Sequence, residues 1–229
     1  MMPIPTKLLA WSMAGLLATA ASLPAQAVEP FTADYEASYK GIPASGRMVL
    51  EPAGGDRWKY TVSISAPIGN LTQTTLFEDR NGQWRPLSNT DSANLLMIKD
   101  NKNATYDWAS GEARWSGDVD ADRAGPVKLQ AGDLDVMLVN LALARDVAAG
   151  KPLDYRIVDN GRVKHVSYQV AGKEQVQVDG KALAATKVER TDGDKQYLVW
   201  VVDGTPVPVR IVERRKGKDD IELRIRSVR

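Results

Sequence analysis

Apolar and polar residues alternate along most of the chain after residue 28, and this pattern predicts β-strands. In residues 31–39 every second side chain is apolar or aromatic, which places these side chains on one face of a strand. The alternation recurs over residues 47–51, 58–64, 72–79, 87–92, 95–100, 103–108 and 112–116. A second group of predicted strands covers residues 153–159, 162–170, 174–178, 183–191, 195–202, 207–215 and 221–228.

Short pairs that contain Gly or Asn separate many of these segments and predict hairpin turns. Asn81-Gly82 suits a type I′ turn because both residues tolerate a positive φ. Asp179-Gly180 and Asp203-Gly204 have similar turn chemistry. Consecutive hairpins predict a mainly β fold, in which an antiparallel meander curls into an open or partial barrel.

One segment, residues 134–149, predicts a buried α-helix. Its apolar residues recur at helical spacing, and nearly all of its side chains are apolar or small. Asp133 is placed to accept N–H groups of the first turn, Asp135 is an acid favourable to the helix dipole, and Gly150 predicts the helix end. We therefore interpret Asp133 and Asp135 as structural caps. A hydrolase that uses the two carboxylates for acid–base chemistry is the alternative.

Residues 1–27 predict a cleavable secretory signal peptide with an N-terminal helix. Lys7 supplies the positive charge, residues 8–23 are mainly apolar, and Ala25-Gln26-Ala27 has small residues where a signal peptidase needs them. We expect cleavage between Ala27 and Val28, which leaves residues 28–229 as a single β-rich domain. A transmembrane anchor is the alternative, but the apolar run is short for a membrane span.

The amino-acid composition indicates the cellular compartment and excludes several kinds of functional site. The chain contains no cysteine, which excludes disulfides, thiol catalysis and thiolate metal sites, and in an exported protein favours the bacterial periplasm. Without Lys7 the chain has 29 basic and 29 acidic residues, so it lacks the basic excess typical of nucleic-acid-binding proteins. The basic residues within 210–218 precede Asp219 and Asp220 and indicate a charged hairpin turn. No segment after residue 28 predicts a membrane span.

Motifs for catalysis and metal binding are incomplete. His165 is the single histidine and lies in a predicted strand without an evident partner. Asp118, Asp120 and Asp122 have the spacing that opens a calcium loop, but the glycine at position six and the acid at position twelve are missing. We therefore predict no catalytic residue, no metal and no cofactor.

Aromatic residues are the remaining candidates for ligand contacts. The chain has six tryptophans and seven tyrosines but two phenylalanines, and rings with a polar atom are common at the rims of concave sites. Five tryptophans lie in or beside predicted strands: Trp58, Trp84, Trp108, Trp115 and Trp200. Of these, Trp58, Trp108, Trp115 and Trp200 are the candidates. Packing in the core of the sheet is the more common use of such residues.

The chain resembles domain-of-unknown-function family 3108, a family of exported bacterial proteins. The motifs that carry the resemblance are Tyr35 to Tyr39 with Gly41-Ile42, Tyr106-Asp107-Trp108, Gly132 to Leu138, the turn-like Val170 to Glu174, and Pro206 to Arg210. Asp135 stands at the family's usual aspartate, and Val207 stands where a leucine is usual. The resemblance covers most of residues 31–228. It implies an envelope location and a β-rich fold with one helix, but no reaction.

Two functional hypotheses follow. The first is a non-catalytic binding module for an apolar or amphipathic envelope ligand, such as a lipid or an apolar small molecule. The second is an envelope scaffold that binds another protein through a sheet edge or an aromatic patch.

Overall fold

The structure, a computed structural model, describes residues 28–95 and 98–229. The predicted signal peptide, including Ala27, lies outside the described residues. The first strands are β1 (Phe31–Tyr39), β2 (Ile42–Pro52), β3 (Arg57–Ala66), β4 (Gly69–Arg80), β5 (Gln83–Leu95), β6 (Ile98–Asp107), β7 (Glu112–Gly117) and β8 (Val127–Lys128). Helix α1 (Val136–Ala148) follows. The remaining strands are β9 (Asp154–Asp159), β10 (Arg162–Ser167), β11 (Gln169–Val178), β12 (Lys181–Asp192), β13 (Lys195–Val201), β14 (Arg210–Arg215) and β15 (Lys218–Val228).

Thirteen strands form one antiparallel sheet, and β9 and β10 form a separate hairpin. The order in the large sheet is β11-β12-β13-β14-β15-β1-β2-β3-β4-β5-β6-β7-β8. The first and last strands of the chain, β1 and β15, pair in the middle of this sheet, and β11 and β8 are the two edges of the sheet. This confirms the predicted mainly β, antiparallel fold with one helix, and the sheet does not close into a barrel.

The first strand follows its predicted alternation and anchors the centre of the sheet. Phe31, Ala33 and Tyr35 are buried on its inner face. The Tyr35 hydroxyl donates a 2.8 Å hydrogen bond to the carbonyl of Pro208, which ties β1 to the segment between β13 and β14. Gly46 pairs with Tyr35, and a Cβ at Gly46 would lie 3.2 Å from Cδ2 of Leu223. A glycine therefore lets the inner side chains pack closely here.

Helix α1 packs against the inner face of the sheet and against β9. It begins two residues later than predicted, because Leu134 is held in an extended conformation beside β9. The Leu134 N–H donates to the Arg156 carbonyl at 3.1 Å, and the Val158 N–H donates to the Leu134 carbonyl at 2.8 Å. The N-cap is therefore Asp135, whose side chain accepts the N–H of Leu138.

The region of β5 and β6 differs from the prediction. The three predicted strands at 87–92, 95–100 and 103–108 are two long strands, and the predicted strand at 95–100 straddles their connection. At this end of the sheet the side chains of β5 are half-buried or exposed on both faces. Polar residues therefore occur at consecutive positions, and the alternation that marks a continuous strand is lost.

The turn that family resemblance implied at 170–174 is a bulge within β11. The register with β12 shifts between Val170 and Gly172, and Gly172 has a φ of +140°. Glycine accommodates the extra residue without ending the strand. The predicted strand at 162–170 is also divided, because β10 pairs with β9 whereas β11 pairs with β12.

The basic residues near position 215 form the predicted charged hairpin. Arg214 pairs with Asp219 at 2.7 Å, and Arg215 pairs with Asp220 at 3.4 Å, across the turn between β14 and β15. Among the described residues no helix is both long enough and apolar enough to cross a membrane.

Candidate functional site

A cleft of about 440 Å³ opens where the C-terminal half of α1 meets the start of β1 and residues 204–206. We call it the helix-end cleft. Its apolar walls include Phe31, Leu50, Trp84, Leu141, Ala144, Ala148, Pro206 and Val228. These residues come from distant parts of the chain, so the cleft exists only in the folded protein.

The spacing of small residues on α1 leaves room for the cleft. Leu141, Ala144 and Ala148 follow one another at intervals of three and four residues, which places them on one side of the helix. The two alanines have short side chains, which leave space beside them for the cleft. Ala148 is exposed in the last turn of α1 and forms part of the cleft mouth.

Trp84 and Arg145 contact each other in the cleft wall. Trp84 is 8% exposed, and its ring lies 5.7 Å from that of Phe77. The guanidinium carbon of Arg145 lies 4.2 Å from the centre of the Trp84 ring. Arg145 also donates to both carboxylate oxygens of Asp146, at 2.8 and 3.1 Å, and to the carbonyl of Gly82 at 3.1 Å. These contacts hold the cation against the apolar wall.

The charged residues that line the cleft are Arg145, Arg229 and Glu29. Arg229 donates a 2.8 Å hydrogen bond to Asp34. This hydrogen bond is the main reason that the pKa of Asp34 lies below its usual value. The two aspartates that pair with the arginines, Asp34 and Asp146, do not line the cleft. The charged side chains of the lining are therefore two cations and one anion.

The N-terminal end of α1 is built differently and encloses a buried polar cluster. Asp135 is 1% exposed and accepts the Leu138 N–H at 2.9 Å and the hydroxyl of Thr75. The amide nitrogen of Asn89 donates to the Thr75 hydroxyl at 3.0 Å and lies 3.4 Å from the Asp135 carboxylate. Burial raises the pKa of Asp135 from 3.8 to about 6, although these hydrogen bonds act in the opposite direction.

Asp133 is also buried but does not cap the helix. Its carboxylate pairs with the guanidinium of Arg156 and accepts the backbone N–H of Gln130 at 2.7 Å. Asp133 and Asp135 therefore have separate partners, and both are shielded from solvent. Neither carboxylate is accessible for acid–base chemistry on a substrate from solution.

Two of the four candidate tryptophans are buried. Trp200 is 2% exposed, and its ring lies between Lys187 and Arg210, at 5.2 and 4.5 Å. Its indole N–H donates to Glu174 at 2.8 Å. Trp115 packs edge-on against Tyr106 in the smaller hydrophobic core, with the ring centres 6.1 Å apart. Neither ring lines the helix-end cleft.

The other two candidates are half-buried and also lie outside the cleft lining. Trp108 donates its indole N–H to the Pro86 carbonyl at 2.7 Å, and Arg85 lies over its ring. Trp58 packs against the main core. The tryptophan that lines the cleft is Trp84, which sequence reasoning did not select. Its position two residues after the Asn81-Gly82 turn was the available signal, because that turn places Trp84 at an end of the sheet.

The remaining sequence candidates are dispersed. His165 is exposed on β10. Asp118 accepts the backbone N–H of Asn101 at 2.8 Å, whereas Asp122 lies in a short 3₁₀ turn and is 3.6 Å from Arg123. Within residues 28–95 and 98–229, no group of three or more His, Cys, Asp or Glu side chains could hold a metal ion.

A second, larger groove of about 770 Å³ has a polar lining. Its lining includes Ser45, Ser63, Ser65, Arg47 and Arg226. Arg47 already donates to Asp34 at 2.7 Å, and Ser65 donates to Asn70 at 2.7 Å. The groove offers little apolar surface to drive binding. The helix-end cleft is therefore the better candidate site for a ligand.

Comparison with known proteins gives the family. The model of a family described as "protein of unknown function (DUF3108)" matches residues 34–224. The chain belongs to this family. The predicted family is thereby confirmed, and this DUF3108 protein has no match among curated proteins.

Comparison with solved structures finds one with a related fold and two with lower similarity. The crystal structure of a beta-barrel-like protein of domain of unknown function DUF1849 from Brucella abortus has a TM-score of 0.52 and 13% sequence identity, and the match covers 87% of this chain and 97% of that chain. The Pseudomonas aeruginosa MucA/MucB complex matches with a TM-score of 0.41 and 9% identity over 87% of this chain and 51% of that chain. A crystal structure of MucB matches with a TM-score of 0.39 and 10% identity over 90% and 54% of the respective chains. The DUF3108 chain spans about half the length of these MucB-related chains.

Proposed function

We propose that this DUF3108 protein is a non-catalytic binding module of the bacterial periplasm, and that its ligand has an apolar portion that occupies the helix-end cleft. The observation that carries the proposal is the apolar wall formed by α1, β1, β2 and residues 204–206 around an open volume of about 440 Å³. Small-molecule sites have volumes of roughly 300 to 1,000 Å³ and are lined mainly by apolar side chains.

The packing of α1 supports a cleft at the helix end rather than a cavity beneath the helix. Leu138, Ala142 and Leu143 are fully buried within the main core. The core beneath α1 is therefore filled, and a ligand would enter beside the last two turns. The buried positions of Asp133 and Asp135 further favour binding over catalysis.

A fluorescence titration with the neutral apolar probe N-phenyl-1-naphthylamine tests the cleft. We expect saturable binding to residues 28–229. Ala148→Phe should abolish this binding, because the added ring fills the cleft mouth. Ala149→Phe is the matched control, since Ala149 is also exposed but does not line the cleft. Absence of probe binding, or equal binding by both variants, would contradict the proposal.

The periplasmic location has its own test. The mature protein, purified from its native envelope, should begin at Val28 in N-terminal sequencing and appear in the periplasmic fraction. Native mass spectrometry of the same sample should detect a bound apolar molecule, which the Ala148→Phe variant should lack. An intact N-terminus in the membrane fraction would favour the anchor alternative.

Attachment to a protein partner through a sheet edge is the second candidate function. Strand β11 is an edge strand of ten residues, most of them exposed, and Val170 is 64% exposed. The bulge near Gly172 and the charges of Lys173 and Glu174 are features that protect edges from pairing, and for this reason the candidate ranks second. A photo-crosslinking residue at position 170 should capture one reproducible envelope protein, whereas the same residue at the exposed turn position 216 should not.

A further inference from the structure

We infer that the ligand of the helix-end cleft is an anionic amphiphile, whose acidic head binds Arg145 and Arg229 while its apolar chain contacts the cleft wall. This inference rests on the proposed function and adds the chemical class of the ligand. Three features support it: the hydrogen-bonding capacity of the two arginines, the charged side chains of the lining and the apolar surface beside them.

Arg145 retains hydrogen-bonding capacity in a fixed position. A guanidinium has five N–H groups, and the three contacts of Arg145 with Asp146 and Gly82 use one each of Nε, Nη1 and Nη2. One N–H on each terminal nitrogen is left for a ligand. Because the group is already held by Asp146 and by the Trp84 ring, little side-chain entropy is lost when it binds an acid.

Arg229 adds a second cation to the lining. It makes one hydrogen bond to Asp34 and is otherwise well exposed. Arginine recognises carboxylate and phosphate groups through parallel N–H donors, and such charge-assisted hydrogen bonds are stronger than neutral ones. Among the side chains that line the cleft, the two arginines outnumber the single acid, Glu29.

The adjoining surface selects an amphiphile over a free anion. Leu141, Ala144 and Phe31 line the same cleft as the arginines. A small inorganic anion would leave this apolar surface exposed, whereas an acyl chain would cover it and add hydrophobic free energy in proportion to the buried area. Carboxylate and phosphate heads share the chemistry that arginine recognises, and both classes of lipid acid fit the inference.

Four ligands with the same twelve-carbon chain test the head group. Calorimetric titrations use dodecanoate, dodecyl phosphate, dodecanol and dodecyltrimethylammonium at pH 8 and below their aggregation thresholds, and the comparison of the first two distinguishes the acidic heads. We expect both acids to bind about tenfold more tightly than the alcohol, because the head gains charge-assisted hydrogen bonds. The cationic ligand should bind more weakly than the alcohol.

Three single-charge variants test whether the preference for an acidic head group depends on the charged residues of the cleft. Arg229→Gln should weaken dodecanoate about threefold and leave dodecanol unchanged. Glu29→Gln should tighten dodecanoate about twofold, because it removes the acid from the lining. Arg226→Gln is the matched control: Arg226 is an exposed neighbour of Arg229 on β15 that does not line the cleft, so dodecanoate affinity should not change.

The outcomes separate this inference from the proposed function. Equal affinities for the acids and the alcohol, with all binding blocked by Ala148→Phe, would overturn the anionic head and leave the apolar cleft in place. Binding of none of the ligands would overturn the proposed function itself. If Arg229→Gln and Arg226→Gln weakened dodecanoate binding equally, the overall charge of the protein would attract the ligand. That result would overturn the assignment of the acidic head to the arginines of the cleft.

Discussion

The two ends of helix α1 meet the same sheet in different ways. At the N-terminal end, Asp135 is surrounded by Thr75, Asn89 and the N–H of Leu138. At the C-terminal end, Ala144 and Ala148 face an open cleft with Arg145 on its wall. One end is closed by a polar cluster whose members satisfy one another, and the other leaves apolar surface accessible.

The difference indicates how stability and binding are divided along one helix. A buried carboxylate is stable only where fixed donors surround it, and these donors tie α1 to β4 and β5. This attachment helps to hold the helix at its other end as well, where Arg145 contacts Gly82 and Trp84. Small side chains can therefore be placed there, and the open surface they leave is available to a ligand.

Truncation of a leucine should have the largest effect and should differ between the two ends. Leu138→Ala leaves a cavity in the filled core, and we expect a loss of about 4 kcal/mol in the free energy of unfolding. Leu141 is buried to a similar extent but borders the cleft. Leu141→Ala should cost about 2 to 3 kcal/mol, because its cavity merges with an open space. Urea unfolding measures the free energy of unfolding of both variants. Equal losses would contradict the view that the core is filled at one end of α1 and open at the other.

Removal of the buried charge should change how stability depends on pH. The pKa of Asp135 is about 6 in the folded protein against 3.8 for the unperturbed group. Between these values the folded state binds more protons than the unfolded state, so this group lowers the free energy of unfolding as pH rises. The contribution amounts to about 2.4 kcal/mol between pH 4 and pH 7.

Asp135→Asn isolates this contribution. Asparagine can still accept the Leu138 N–H as an N-cap, but it does not ionise. In urea unfolding, the stability of the variant relative to the wild type should therefore increase by about 2.4 kcal/mol between pH 4 and pH 7. Asp91, whose pKa burial also raises, is present in both proteins and cancels in the difference. A difference that does not vary with pH would show that Asp135 does not titrate in this range.

Loss of the Thr75 hydroxyl should have an intermediate effect. Thr75→Val preserves the shape of the side chain but removes a hydrogen bond that lowers the pKa of Asp135. We expect a loss of about 2 kcal/mol at pH 7 and a shift of the pH-dependent step to a value above 6. Thr74→Val, on the less buried neighbouring residue, should leave that step unchanged. A shift of equal size in both variants would contradict a specific role of the Thr75 hydroxyl.

The β framework was predictable from the sequence, whereas the cleft was not. The alternation in β1 and the Asn81-Gly82 turn are local signals, and each is found where it was predicted. The cleft combines residues 28–31, Trp84, the end of α1 and residues 204–206, and its open volume depends on how these segments pack. No local pattern reports that packing, which is why the four selected tryptophans lie elsewhere.

The start of helix α1 also depends on tertiary contacts that local sequence patterns do not show. Asp133 and Asp135 are both suitable N-caps by residue type, and the apolar spacing extends back to Leu134. The choice between them depends on the pairing of Leu134 with Ile157, a contact with a strand that follows the helix. Local propensity could place a cap in this region, but tertiary structure selected which aspartate serves.

Enlargement of an exposed residue at the open end should have the smallest effect on stability. Ala148→Phe adds a ring beside the cleft without displacing buried atoms, so we expect a change of less than about 0.5 kcal/mol in the free energy of unfolding. Val139→Phe adds volume to the filled core near the other end, and overpacking there should cost about 1 to 3 kcal/mol. Urea unfolding of both variants at pH 7 makes the comparison. A large loss in Ala148→Phe would mean that the open end is also tightly packed, and the loss of probe binding in that variant would then reflect unfolding instead of a filled cleft.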